Sequence, residues 1–245
     1  MISPSEKEIK NQIIKFSQRL YQKGFVANHD GNITVKHGIH YWATPTAQSK
    51  GDITEEMLVS LDYTGEKIAG SHQVFSEINL HLACYQIRED IEAVIHAHPP
   101  KATALACTNT PLQKIFIAEA VVTLGDEIPL VPFMPPNCPN TKNNLRPFLE
   151  KADVVMLQNH GLIAVGKNLE QAYYRLELAE HLATIQWHAA SIGQITPLPR
   201  ETVQYLLDKI QKSALQPSWP SDTALHNAQL KKIIQEEINL YLAGC

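Results

Sequence analysis

Residues 76–100, SEINLHLACYQIREDIEAVIHAHPP, place a helical pattern directly before a strand that ends in two histidines. Ser76 is a favourable helix cap, and Ile78, Leu80, Leu82, Tyr85 and Ile87 after it predict a long helix ending near Arg88-Glu89-Asp90. Residues 92–98, EAVIHAH, then read as a strand, whose period of two puts His96 and His98 on the same face, together with Val94.

Working outward, DVVMLQNHGLIAVG (153–166) is a second decisive stretch, two apolar β-runs flanking Asn159-His160-Gly161. It leads into a helix from about Asn168 to Ser191 with a cap-like Asn-Leu-Glu start. Toward the N-terminus, residues 5–23 carry apolar positions at helical spacing, and Gly24 is a stop signal. Short β-rich pieces follow at 31–38, 40–46 and 57–70, the last a hairpin turned at Thr64-Gly65-Glu66. Residues 101–109 predict a short helix, 111–139 a loop-rich stretch with apolar pieces, and 141–151 another helix. Beyond Thr196 two helical patterns are separated by QPSWPSD (216–222), a linker. Interleaved strands and helices predict a mixed α/β fold.

Composition narrows the function classes. A chain of 245 residues with 44% hydrophobic positions can bury one sizeable core. The net charge is −4 and the 21 basic residues are scattered, so no basic stripe marks a nucleic-acid partner. The start MISPSEKEIKNQ does not read as a signal peptide and no apolar run has bilayer length, which predicts a cytoplasmic protein with no membrane partner. Cys84, Cys107, Cys138 and Cys245 form no CxxC pair and read as reduced thiols.

The chemistry-bearing residues each carry two readings. Paired histidines on a strand are either polar residues at its end or two nitrogen ligands; a catalytic metal site needs a third ligand and an open position. His160 is the candidate third ligand, although Asn-His-Gly also suits a plain chain reversal. Glu77, after Ser76, either complements the helix dipole or points to the metal edge as a proton carrier. His81, one turn on, is a lesser alternative ligand, while His29, His37, His40, His72 and His188 read as solvated.

With Gly31-Asn32-Ile33-Thr34 and Thr44-Pro45-Thr46 in the same order, these stretches strongly resemble the class II aldolase/adducin family over roughly residues 5–210. The resemblance implies a three-layer α/β/α sandwich with a mainly antiparallel central sheet, assembled as a homotetramer. It implies that His96, His98 and His160 bind Zn2+, with Mn2+, Co2+ or Fe2+ as substitutes, and that Glu77 is the acid/base. The implied activity is retro-aldol cleavage of a small ketose, a ketose 1-phosphate first, through a metal-stabilised enediolate. Family phosphate contacts fall on Gly31, Asn32, Thr46 and Ser76. Ala47 stands where the family has glycine and Phe75 where it has a first serine, and Lys50 is a charge that compensates. With Ala47 and Phe75 in that pocket, a smaller or non-phosphorylated substrate is the alternative; the segment 114–129 also lacks the tyrosine that an aldolase of the family lends to a neighbouring subunit, which implies a specificity of this chain's own.

Dehydratase, decarboxylase and 4-epimerase activities share the implied chemistry and rank after aldolase in that order. A non-enzymatic adducin-like binding module ranks last, because such members typically lose the metal ligands. The reading divides the chain into a catalytic domain, 1–215, and a C-terminal helical extension, 216–245, whose apolar pattern runs from Leu225 to Leu242.

Overall fold

The computed structural model describes residues 4–214 apart from 109–110, 113–115, 126 and 136–137. The expected linker 216–222 and extension 216–245 lie outside the described residues. The described residues fall into two compact units, one within 1–113 and 127–195 and the other within 114–126 and 196–245.

In the first unit, α1 (Glu6–Gln22) opens with a capping box in which Ser5 and Glu8 satisfy each other's backbone N–H groups. The chain then runs through β1 (Asn32–His37), β2 (His40–Ala43), β3 (Val59–Leu61), β4 (Lys67–Ala69), α2 (Ile78–Ile87), β5 (Ala93–Ala97) and α3 (Pro100–Cys107). After α4 (Ala118–Leu124), which belongs to the second unit, come β6 (Leu130–Val131), α5 (Thr141–Leu149), β7 (Val154–Leu157), β8 (Gly161–Gly166) and α6 (Leu169–Ile192). Helix α7 (Arg200–Ala214) closes the described chain, and in the second unit Val203 and Leu206 on it cluster with Val121 on α4.

The eight strands form one sheet in the order β4-β3-β2-β1-β5-β8-β7-β6. Neighbours pair antiparallel except β6 with β7, which are parallel, so the sheet is mixed and not purely antiparallel. Directly paired residues share a face, and the registers Asn32↔His96, Thr34↔Val94 and His96↔Ile163 put Asn32, Thr34 and His96 on one face. There Val94, Val155, Ile163 and Val165 join residues of α2 and α5 in one apolar cluster. On the opposite face α6 packs over β5 and β8, and α1 over β1.

Two of these elements differ from expectation. Helix α2 begins one residue later than a Ser76 cap requires, because Glu77 occupies the cap position and makes no capping bond. Residues 118–124 are helical where a loop-rich stretch was expected; seven residues are too few to display a period.

Helix α3 follows the paired histidines at once, and its start has no side-chain cap of its own. The Glu180 carboxylate, buried on α6, supplies one instead by accepting Lys101 N–H at 3.0 Å and Ala102 N–H at 2.8 Å. We expect Glu180→Ala to cost about 1–3 kcal/mol, since the buried Ala102 N–H loses its acceptor. Urea denaturation checks this, and Glu180→Gln, which keeps one acceptor oxygen, should cost less.

Candidate active site

His96 lies on β5 and is fully buried, His98 follows the end of that strand, and His160 sits in the reversal between β7 and β8. The reversal works because Asn159 takes a left-handed conformation, φ 55°, which asparagine tolerates. One ring nitrogen from each of the three histidines lies within 4.8 Å of the others.

The other ring nitrogens decide what that convergence can do. His96 Nδ1 is 2.9 Å from the Leu162 carbonyl oxygen, an acceptor only, so Nδ1 carries the proton and Nε2 a lone pair. His98 Nδ1 is 2.9 Å from Asp30 Oδ2, which orients the second imidazole in the same way. The two Nε2 atoms are 3.0 Å apart, so two lone pairs face each other. A cation between them removes that repulsion, and three converging imidazoles, two of them anchored through a carbonyl and a carboxylate, suit a divalent metal.

Glu77 completes the cluster. Its Oε1 is 2.9 Å from His160 Nε2 and its Oε2 3.6 Å from His96 Nε2. Asn32 Nδ2 donates to Oε2 at 2.9 Å. A carboxylate at a helix start would ordinarily cap its own helix; here the imidazoles and Asn32 satisfy it instead. Burial works to raise its pKa, but the His160 hydrogen bond, the adjacent imidazoles and the Asn32 amide outweigh this and hold it well below the usual carboxylate range. Burial lowers the His96 pKa and keeps that ring neutral, the form that binds metal.

A cavity of about 300 Å³ opens onto this cluster, and Gly31, Asn32, Thr46 and Ser76 all line it. Thr46 and Ser76 are exposed, whereas Asn32 is buried. Ala47, where the family has glycine, has φ 54°, a left-handed conformation that costs an alanine about 1 kcal/mol. Phe75 is buried with its ring 5.0 Å from that of His81. Lys50 does not reach out as a compensating charge: it is buried, and Nζ donates to the carbonyls of His29 and Gln48. Burial lowers its pKa to about 8, against the opposing pull of Asp30.

Three residues enter the site that sequence reasoning passed over or set aside. Asp30 anchors His98, His29 is exposed at the cavity, and His81 is fully buried on α2 with both ring nitrogens engaged, so it does not face the triad as a ligand. The signal for Asp30 was a carboxylate beside the Gly31-Asn32 turn; that for His81 was its spacing of four from Glu77.

Burial pushes the His81 pKa from 6.5 down to about 3, so the folded protein excludes a proton that the unfolded chain accepts. The depressed value means stability is lost as pH falls below 6.5, by about 1.4 kcal/mol per pH unit until the native ring protonates. In metal-free protein, His81→Gln should therefore flatten the acid side of the stability profile. Urea midpoints measured across that window check it.

A mixed sheet and a helix start that gather three imidazoles and a carboxylate beside one cavity define an α/β protein with a candidate divalent-metal centre. The chain belongs to the class II aldolase and adducin family: residues 11–187 match the Class II Aldolase and Adducin N-terminal domain. It is 33% identical over 182 residues to the L-fuculose phosphate aldolase of Methanocaldococcus jannaschii, covering 72% of this chain and 94% of that protein. It is 26% identical over 205 residues to the 5-deoxy-D-ribulose 1-phosphate aldolase of Bacillus thuringiensis, covering 82% and 95%. A solved structure of an L-fuculose 1-phosphate aldolase aligns with a TM-score of 0.77 at 28% identity, covering 84% of this chain and 98% of that one. Among the described residues no helix is long and apolar enough to cross a membrane.

Proposed function

We propose that this chain is a zinc-dependent lyase that cleaves a small ketose, first of all a ketose 1-phosphate, by a retro-aldol reaction. The observation that carries the reading is the Glu77 carboxylate, held 2.9 Å from His160 Nε2 beside three converging imidazoles. In this proposal His96, His98 and His160 hold the metal, which supplies a Lewis acid for the substrate's carbonyl and hydroxyl oxygens. In cleavage the hydroxyl on the carbon that becomes the aldehyde gives up its proton as the carbon–carbon bond breaks, and Glu77, ionised at the start, takes up a proton and delivers it to the carbon that kept the electron pair, which forms the three-carbon ketone; in the synthetic direction it removes that proton. Asn32 holds one carboxylate oxygen. Gly31, Thr46 and Ser76 line the same cavity and would receive the phosphate, through backbone amides and hydroxyls. The names of the relatives support aldolase chemistry over the dehydratase, decarboxylase and epimerase alternatives. We further propose a homotetramer, as membership of the family implies, and a helical extension at 216–245, as the apolar pattern from Leu225 to Leu242 suggests.

The test is a screen of ketose 1-phosphates, L-fuculose 1-phosphate and 5-deoxy-D-ribulose 1-phosphate included, with release of dihydroxyacetone phosphate as the readout. Chelator-sensitive release from at least one of them is expected. Loss of water or carbon dioxide from a substrate, without cleavage into two carbon fragments, would overturn the aldolase assignment.

A further inference from the structure

A chain of buried side chains runs away from Glu77 into the core, and its protons can be assigned one by one. Glu77 Oε2 accepts only, so the atom of Asn32 that faces it at 2.9 Å is the amide nitrogen. The Asn32 carbonyl Oδ1 is thereby turned to His81, 2.6 Å from Nε2, which must carry the proton. A neutral imidazole protonated there has its lone pair on Nδ1, 2.8 Å from Thr34 Oγ1, so the threonine donates. Thr34 Oγ1 also lies 2.9 Å from Tyr85 Oη, whose one proton has the Thr34 carbonyl oxygen as a second acceptor at 3.0 Å. From Thr34 through His81 to Asn32 every donor points toward Glu77.

The opposite polarity fails at the end that matters. With the proton on Nδ1, His81 Nε2 would need a donor, the Asn32 amide would turn over, and its carbonyl oxygen would face the carboxylate. Water does not reach His81 or Thr34 to supply that donor, because both are fully buried. The position is also an expensive one for a histidine: α2 packs this side into an apolar cluster, and an imidazole there needs both nitrogens bonded. Phe75 packs against the ring and Tyr41 stacks on Tyr85 at 4.6 Å, so the rings are confined.

We infer that His81 is a positioning residue, which locks the Asn32 amide with its N–H toward Glu77 and so holds the proposed acid/base carboxylate in place. Asn32 is then committed by its carbonyl to His81 and by one N–H to Glu77, and it serves the carboxylate more than a substrate phosphate. The inference rests on the proposed role of Glu77, but the state of His81 is measurable without any substrate.

Nitrogen-15 NMR of histidine-labelled protein, with the His81 signals identified by their loss in His81→Gln, is expected to show the neutral Nε2–H tautomer down to about pH 5. An Nδ1–H tautomer, or a protonated ring at that pH, overturns the inference whatever reaction the protein catalyses. Kinetics then read the consequence, on the ketose 1-phosphate cleaved by wild type or on solvent deuterium exchange into dihydroxyacetone phosphate. His81→Asn, whose shorter amide matches Nδ1 and cannot reach Asn32, should lower kcat about 10²-fold with KM and bound metal little changed, the scale of a misplaced catalytic group. His81→Gln, whose amide nitrogen can occupy the Nε2 position, should restore most of that loss. Equal activity of the Asn and Gln variants, or a rise in KM without a fall in kcat, overturns the positioning role. Wild type that neither cleaves nor exchanges would refute the proposed reaction, while the tautomer would still decide the state of His81.

Discussion

Replacing Glu77 by glutamine is expected to abolish turnover, by at least about 10²-fold and up to about 10⁴-fold, while leaving the metal bound. The glutamine side chain is close to isosteric and still offers an oxygen to His160 or Asn32, so the fold and the three imidazoles should survive. It has no carboxylate to take a proton at neutral pH, and the native group is held ionised by His160 and Asn32 against the cost of its burial. Steady-state kinetics and element analysis of the same preparation separate the two functions. A fully active Glu77→Gln protein would sink the assignment, and an inactive one without metal would show that Glu77 is needed to hold the ion.

Gly161→Ala should strike the metal centre with equal force from a residue that bears no functional group. A Cβ at Gly161 would lie 2.4 Å from His98 Cδ2 and 2.5 Å from the Ala97 carbonyl oxygen. Both distances are far inside contact. The carbonyl belongs to β5, which pairs with β8 through Ala97↔Leu162 and cannot withdraw without opening the sheet. The imidazole must therefore swing off its hydrogen bond to Asp30, or β8 must part from β5. The expected result is a fall in metal affinity of about 10–100-fold and a destabilisation of roughly 1–3 kcal/mol from overpacking. Gly193→Ala is the matched control: a Cβ there would have nothing within 4 Å among the described residues, and stability and metal binding should be unchanged.

These expectations show which parts of the site could be read from residues alone. His96 and His98 were legible because a strand's period of two is rigid. The reversal at Asn159 was legible because few residues tolerate its conformation, and the start of α6 because Asn168 caps it, accepting Gln171 N–H at 2.8 Å. Ser76 misled because cap preference is a local property, and Glu77 took the cap position under the pull of groups on β1 and the β7–β8 reversal. The partner of Asp30 was hidden for a related reason: Asp30 lies 68 residues from His98, and only the pairing of β1 with β5 brings the two together. His81 was placed on the right helix face but given the wrong partner class, since sequence does not reveal that Asn32 and Thr34 stand closer than the triad. Lys50 was read as a compensating charge for the phosphate pocket, and no local pattern announces a lysine that turns inward to two carbonyls.

The two facing lone pairs of His96 and His98 make metal binding the central claim, and calorimetric titration of the metal-free protein with Zn2+ addresses it most directly. The account predicts one ion per chain in wild type, with that binding lost in His96→Ala. Undiminished binding in His96→Ala, or no stoichiometric binding by folded wild type, would contradict it.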